Sequence, residues 1–342
     1  MKSTLQQAWR SRGLLACALW PVAQLYGWLT SIRRGLYVSG LFKVESVSVP
    51  VVVVGNVTVG GGGKTPLVIA LMAHFARQGI RAGVVSRGYG RNGKGCLEVF
   101  PNTPVLMSGD EPALIKRAQA APIFVANNRV EAARKLLAAY PQTEVIVCDD
   151  GLQHERMQRT VNVVVFDNTG LGNGWLLPAG PLRQHWPLPC QNAQTLVLHT
   201  GSNAAFAGFK SRRKLGDAAI GVAGEQVTLQ SLAAIMNPPV TIVAMAGIAH
   251  PDAFFDMLDA HGLQLARRLR FEDHADYSRL DLASLKLPTE ASITILCTEK
   301  DAIKLFELPQ DPAVRVLAVP LVFTPEAEFF TALEHALNSR RL

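Results

Sequence analysis

The chain has 342 residues, is 49% apolar and carries a net charge of +7. That allows one large or two modest domains with ample core. The 5 cysteines are odd in number and form no C-x-x-C pair, which argues against a disulfide framework or a zinc site and for a reducing cytosol.

The charge is concentrated at the N-terminus. Residues 1–44 contain Lys2, Arg10, Arg12, Arg33, Arg34 and Lys43, and the first acid is Glu45. A protein that binds nucleic acid along its whole length would spread its basicity more widely. These charges flank an apolar aromatic run, Leu14 to Leu29, with Trp20, Tyr26 and Trp28. The run is short for a membrane span and is interrupted by Pro21. An interfacial helix is expected, with arginines on anionic head groups and aromatic rings at the acyl boundary. A helix packed on the protein's own core is the alternative, followed by a signal peptide or a span.

From Val47 the pattern alternates between strand and helix. Val47–Val54 reads as a buried strand, Thr65–Gln78 as a helix ended by Gly79, and Arg81–Ser86 and Ile123–Ala126 as strands. Arg129–Tyr140 reads as a helix, and Val145–Cys148 and Val161–Phe166 as β-branched strands. Such alternation predicts a mostly parallel sheet covered on both faces, with ligands at the C-terminal strand ends. A loop-rich stretch runs from Thr169 to Cys190. Strands at Thr195–His199, Thr241–Ala246 and Ile293–Thr298 then predict a second, smaller α/β lobe beginning near residue 190.

The first strand runs into VVVVGNVTVGGGGKTP, Val51 to Pro66. Strand, glycine turn, Lys-Thr and helix are the layout of a phosphate-binding loop. Glycines let backbone N–H groups close around phosphate oxygens, and the helix points its positive end at them. Thr58, Val59, Gly60, Gly61, Gly62, Gly63, Lys64 and Thr65 form the expected nucleotide cradle. Lys64 would reach the outer phosphates and Thr65 would hold Mg2+. The loop departs from G-x-x-x-x-G-K-[ST] at Thr58. Val59 stands where dimerising ATPases of the K-G-G-x-G-K-T type have lysine, which argues against a nucleotide shared between partners. Asn56 and Thr58 either help hold phosphate or metal, or brace the turn. Export would carry such a loop away from ATP, which weighs against a signal peptide.

Further strings place reactive side chains at strand ends. VIVCDDGLQH sets Asp149 and Asp150 where an NTPase keeps its Mg2+-associated carboxylate, with Asp167 of VVVFDN as a rival. SRGYGR offers Arg87 and Arg91 to an anion, or is a solvated turn. GDEP puts Asp110 and Glu111 at a helix start, where acids also serve as caps. PAGPLRQ presents Arg183, a guanidinium suited to phosphate. FEDHADYS sets His274 among acids, which favour its protonated form. TEKDAIK either contacts the nucleotide's base or ribose, or starts a helix.

In order, GNVTVGGGGKTP, SRGYGR, GDEP, CDDGLQH, PAGPLRQ, AGIAHPDAFF, DHADYS and TEKDAIK resemble the tetraacyldisaccharide 4′-kinase family of lipid A synthesis. The resemblance runs from the basic N-terminus to about residue 304. It implies transfer of the ATP γ-phosphoryl group to the 4′-hydroxyl of a tetraacylated glucosamine disaccharide 1-phosphate, giving lipid IVA. The family's general base matches Asp110, its assisting histidine His274, its loop lysine and hydroxyl Lys64 and Thr65, its acidic pair Asp149 and Asp150, and its loop arginine Arg183. Two positions depart from the family pattern: Gly62, commonly Thr, and Gln184, commonly Glu near Mg2+. Backbone amides do most of the cradling, so the first should be tolerated. The second leaves Gln184 a weaker metal ligand, or leaves the metal to Asp149 and Asp150.

The expectation is a phosphate-loop α/β domain at 45–190, a second α/β lobe at 191–342 and a basic membrane-associating segment at 1–44. ATP and Mg2+ are the expected cofactors and an acylated disaccharide the partner, at the cytoplasmic face of the bacterial inner membrane. Neither nucleic acid nor an obligate protein partner is expected. The alternatives are a membrane-associated NTPase switch and a kinase of a soluble sugar or cofactor.

Overall fold

A computed structural model describes residues 5, 7–188, 193–201, 204, 206–234, 240–285 and 292–339. Lys2 and Cys190 lie outside the described residues. Helix α1 spans Leu14–Val38, 25 residues with Pro21 inside it. The apolar run is therefore longer than its sequence suggested. Pro21 removes one N–H without ending the helix, and with a mean hydropathy of 1.2 the helix is long and apolar enough to cross a membrane. Its buried residues are small, Ala16, Ala23 and Gly27, whereas Trp20, Leu25, Trp28 and Leu29 are exposed. The helix thus turns a narrow stripe to the protein and its bulky apolar side chains outward, the reverse of a helix on a soluble surface.

The chain then folds in alternation. It runs through β1 (Val51–Gly55), α2 (Lys64–Arg77), β2 (Ala82–Ser86), β3 (Leu97–Glu98), α3 (Val105–Ser108) and α4 (Asp110–Ala118). Next come β4 (Ile123–Val125), α5 (Arg129–Ala139), β5 (Val145–Cys148), β6 (Val161–Phe166), β7 (Gln194–His199) and β8 (Phe209–Leu215). β1 starts later than the valine pattern suggests, because Pro50 has no N–H to give the ladder. Further on lie β9 (Ala218–Gly221), β10 (Gln226–Thr228), α6 (Leu229–Ala234), β11 (Val240–Ala246), α7 (Pro251–Ala260) and β12 (Arg267–Arg270). The chain ends in β13 (Ser292–Thr298), α8 (Glu299–Leu305), β14 (Val314–Val319), β15 (Leu321–Pro325) and α9 (Ala327–Asn338).

These strands form two sheets. The nine-stranded sheet runs β15-β8-β7-β6-β1-β5-β2-β4-β3 and is parallel except for its two edge strands, β15 and β3. The six-stranded sheet runs β10-β9-β14-β13-β11-β12, with β14, β13, β11 and β12 parallel. The fold is α/β, as the alternation predicts. All strands of the smaller sheet lie between β8 and β15, which pair antiparallel in the larger one. β7 and β8 lie beyond the expected division near residue 190, yet they join the first sheet. The Gly216 N–H donates to the Pro320 carbonyl at 2.8 Å where the chain leaves and returns.

The central strand β1 is buried along its whole length, as a parallel strand covered on both faces requires. Leu67, Leu71 and Phe75 of α2 cover one face together with Phe329 and Leu333 of α9. Val130 and Leu136 of α5 cover the other with Leu176 and Leu182. Phe329 is fully buried, and its ring lies edge-on to Phe209 of β8 at 5.8 Å. Phe329→Ala should cost about 3–5 kcal/mol of stability. Urea denaturation checks this, and a loss below about 1 kcal/mol would mean that α9 does not hold the sheet's edge.

Candidate functional site

β1 lies between β6 and β5, and Val53 stands opposite Cys148. The glycine loop after β1 and the acidic pair after β5 therefore emerge side by side. Gly63, at φ +88°, turns the loop into α2, a conformation that glycine adopts without penalty. Beneath the loop, a Cβ on Gly62 would fall 2.0 Å from Asn56 Nδ2. Asn56 thus fills the space a side chain at 62 would need. Its own Nδ2 donates to the Val165 carbonyl at 2.8 Å. The loop also pairs with the PLRQ segment. The Val59 N–H donates to the Pro181 carbonyl at 2.9 Å, and the Arg183 N–H to the Val57 carbonyl at 2.7 Å. Thr58 is buried in this pairing, opposite Leu182, while Val59 is exposed.

That pairing delivers Arg183 to the strand-end acids. Asp150 Oδ1 accepts from Arg183 Nη1 at 3.2 Å and lies 3.6 Å from Lys64 Nζ. Burial pushes the Asp150 carboxyl up, but Lys64, Arg183 and Arg129 outweigh it and hold it below the ordinary value. Asp150 adopts φ +45°, rare for a residue with a side chain. Asp149 behaves oppositely. Burial first, then the neighbouring Asp150 and Glu111, raise it to about 7. Its Oδ2 accepts from Ser86 Oγ at 3.2 Å, and its Oδ1 is buried without a protein partner. Such an oxygen calls for a cation or a proton. Two adjacent carboxylates, one with an unpartnered buried oxygen, offer the oxygen chemistry that suits a hard divalent ion. Thr65 and Gln184, both half-buried, directly follow Lys64 and Arg183 in sequence. Asp167 takes no part. It accepts from the Thr169 N–H at 2.9 Å and lies 3.6 Å from His250 Nε2.

A second cluster gathers on the same side. Gly109 and Gly88 pack backbone to backbone, where a Cβ on Gly109 would meet Gly88 Cα at 3.0 Å. This seats the GDEP turn on the SRGYGR turn and sets Asp110 at the start of α4. Asp110 Oδ2 accepts from His274 Nδ1 at 3.0 Å. His274 stands at φ +63°, a second left-handed side-chain-bearing residue in the site, and Tyr89 lies against its ring at 5.4 Å. Strain of this kind concentrates where side chains must be aimed. The hydrogen bond to Asp110 raises His274 above its ordinary value, against burial and Lys300. Of the two SRGYGR arginines, Arg87 is exposed and Arg91 turns to the Gly95 carbonyl.

Three residues that sequence reasoning passed over complete the two clusters. Lys304 Nζ lies 2.6 Å from Asp110 Oδ2, and Lys300 Nζ lies 2.7 Å from Asp273 Oδ1. TEKDAIK starts a helix, with the Thr298 hydroxyl accepting from the Asp301 N–H at 3.2 Å. The four-residue spacing of its lysines, which puts them on one face, was the available signal. Arg129, buried at the start of α5, donates to the Asp150 carbonyl at 3.3 Å.

A glycine loop at a helix start, backed by a lysine and an arginine on one strand-end carboxylate, defines an α/β protein of the phosphate-binding-loop class. The chain belongs to the tetraacyldisaccharide-1-P 4′-kinase family, whose model matches residues 15–338. It is similar to the tetraacyldisaccharide 4′-kinase of Polaromonas naphthalenivorans (strain CJ2), at 57% identity over 99% of this chain and 96% of the relative. The enzyme of that name from Polaromonas sp. (strain JS666 / ATCC BAA-500) is 54% identical over 97% of this chain and 95% of its own. Among solved structures, LpxK from Aquifex aeolicus, crystallised in complex with ATP, matches with a TM-score of 0.75. That match has 27% identity and covers 95% of this chain and 99% of the other.

The raised His274 makes a prediction. The pairing contributes stability that is fully present below the ordinary histidine value of 6.5 and is lost as pH rises through the higher folded value. Asp110→Asn removes the pairing charge, so His274 should then titrate lower than in the unaltered protein. Ring-proton NMR against pH reads this directly; an unmoved titration would show that Asp110 does not set the imidazole's charge.

Proposed function

We propose that this protein transfers the γ-phosphoryl group of ATP to the 4′-hydroxyl of a tetraacylated glucosamine disaccharide 1-phosphate, giving lipid IVA in lipid A biosynthesis. The observation that carries the reading is the Asp110–His274 pair at 3.0 Å, a proton acceptor standing apart from the Lys64–Asp150–Arg183 cluster. A switch that only hydrolyses nucleotide has no need of a second such site for a sugar hydroxyl.

The 4′-oxygen attacks the γ-phosphorus, the bond to the bridging β–γ oxygen breaks and ADP leaves. The hydroxyl proton passes to Asp110, whose charge His274 supports. Residues Thr58 to Thr65 wrap the phosphates with backbone N–H groups. Lys64 and Arg183, which share Asp150, turn their remaining donors to the transferring group, where charge spreads over its oxygens. Thr65, Asp149, Asp150 and Gln184 would hold Mg2+; the buried, unpartnered Asp149 Oδ1 supports this assignment. When bound, the ion neutralises charge on the β- and γ-phosphates.

The working units follow the sequence reading, amended by sheet membership. Residues 1–44 associate with the membrane. The nucleotide unit begins at 45 and takes in β7, β8, β15 and α9. The second unit, from β9 to β14, closes the cleft by bringing His274 to Asp110. The bulky apolar face of α1 would lie at the cytoplasmic face of the bacterial inner membrane, where an acylated acceptor resides. On its inner side the Tyr26 hydroxyl donates to the Arg183 carbonyl at 2.8 Å, which ties the membrane helix to the phosphate-binding arginine.

An assay with γ-labelled ATP and the tetraacyl disaccharide, following label into lipid, tests the reading. Rapid hydrolysis without acceptor and no labelled lipid would instead mean a nucleotide switch. Asp110→Ala should lower kcat by about a hundred- to ten-thousand-fold while leaving ATP affinity near normal. Lys64→Ala should damage both. The double substitution Trp20→Glu and Trp28→Glu should weaken binding to anionic vesicles by about tenfold or more without unfolding the protein, since both rings are exposed. Vesicle sedimentation that matches the unaltered protein would remove α1 as the membrane contact.

A further inference from the structure

Asp110 is contributed by the nucleotide unit, yet the side chains that bind it, His274 and Lys304, come from the other. His274 precedes β13 and Lys304 projects from α8, and both place a nitrogen on the same oxygen, Oδ2, at 3.0 and 2.6 Å. Both nitrogens thus make their described contact with Asp110 at Oδ2. One turn before Lys304, Lys300 occupies the same helix face. It lies 3.6 Å from Glu111 Oε1, 2.7 Å from Asp273 Oδ1 and 3.3 Å from His274 Nε2. The Lys304 ammonium is anchored a second time, donating to the Ala275 carbonyl at 3.0 Å, directly after His274. Its side chain is 18% exposed and that of Asp110 11%, so the pair is largely withdrawn from water. A contact of this kind is much stronger than an exposed ion pair and is geometrically fixed.

The helix that carries both lysines is itself braced. Asp301 caps the turn between them. It accepts from the Gly247 N–H at 3.0 Å, the Tyr277 hydroxyl at 2.8 Å and the Thr298 hydroxyl at 2.6 Å. Ile303, between the lysines and buried, packs with Val105 and Ala113 of the nucleotide unit. The helix face that presents Lys300 and Lys304 is therefore seated where the two units meet.

We infer that Lys304 is a positioning residue for Asp110: it pins Oδ2 so that Oδ1 is the oxygen offered to the acceptor hydroxyl, while Lys300 restrains the neighbouring acids Glu111 and Asp273. The inference rests on the reading of Asp110 as proton acceptor. It has a consequence for protonation. Burial pushes the Asp110 carboxyl up, and the hydrogen bonds from His274 and Lys304, with the charge of Lys300, outweigh burial and hold it low. Glu111 and Asp273, Asp276 near Lys304, Tyr89 against the His274 ring, and Tyr277, whose ring lies 5.9 Å from the Lys304 ammonium, are further titratable groups facing this cluster. Without Lys304, burial is opposed by His274 and Lys300 alone, and the carboxyl takes up its proton at higher pH.

The test is the pH profile of kcat/KM for the lipid acceptor, with ATP affinity measured alongside, for the full chain and for Lys304→Gln and Lys304→Arg. Lys304→Gln should move the acidic limb up by about one pH unit and lower kcat, with ATP affinity unchanged. Lys304→Arg, which keeps the charge, should leave the limb near its original place. Activity that falls in Lys304→Gln with the limb unmoved would overturn the inference, since a merely structural lysine lowers activity at every pH alike. If Lys304→Gln does not fold, carbon NMR of the Asp110 carboxyl in the unaltered chain and in Lys304→Met decides: a carboxyl that titrates higher in the variant supports the contact, and one that does not move overturns it. An unaltered chain that labels no lipid overturns the proposed function instead. The carboxyl titration still judges Lys304 in that case.

Discussion

The site depends on the carboxylate of Asp150. Two cations, Lys64 from the start of α2 and Arg183 from the PLRQ turn, converge on one of its oxygens. Without an anion between them they would repel each other across the backbone pairing that joins their loops. With the anion, three segments distant in sequence form one charged cluster at the end of the central strand. The balance suits a phosphate site. Asp150 stays ionised because the cations outweigh its burial, while Asp149 beside it is pushed toward protonation by the same burial and by Asp150 itself. Neighbouring acids with divergent environments are a recurring means of giving one residue type two roles.

From this point the order extends outward. The Ser86 hydroxyl, at the end of β2, bonds Asp149 and lies 3.5 Å from the Gly88 N–H. Gly88 packs on Gly109, and Asp110 follows. A continuous set of short contacts therefore runs from the Lys64–Asp150–Arg183 cluster to the Asp110–His274 pair. On the opposite side, the PLRQ turn that delivers Arg183 receives the Tyr26 hydroxyl of α1. The Trp9 indole and the Arg12 guanidinium donate to the Pro178 and Asn173 carbonyls nearby, at 2.9 and 3.2 Å. The N-terminal helix and the residues just before it are thus built onto the segment that carries Arg183.

Much of the first sheet was legible because its signals are local. Val51–Gly55, the glycine turn and Lys64–Arg77 are contiguous, and so is VIVCDD, so strand, loop and strand-end acids could be read from one stretch each. The misplaced start of β1 traces to a single missing N–H at Pro50. Strand β8, FKSRRKL, was not legible: basic side chains fill its exposed positions, so the alternation that marks a half-buried strand is lost. The placing of Lys300 and Lys304 against Asp110 and Glu111 depends on two units meeting, which no local pattern encodes. The positive φ of Asp150 and His274 is likewise imposed by tertiary contacts, since neither residue type demands it.

The neck of the smaller unit has a consequence of its own. Its polypeptide enters after β8 and leaves into β15, two strands already hydrogen-bonded to each other, and the Gly216–Pro320 contact closes the gap. For the larger sheet the whole excursion is therefore a loop whose ends are held together at almost no extra separation. Loop-closure entropy grows only slowly with length, so the host sheet tolerates an insertion of this size almost as it would a short turn. Paired entry and exit strands also act as a double tether. The smaller unit could thus lengthen or diverge in its outer strands without disturbing the register on which the phosphate loop depends.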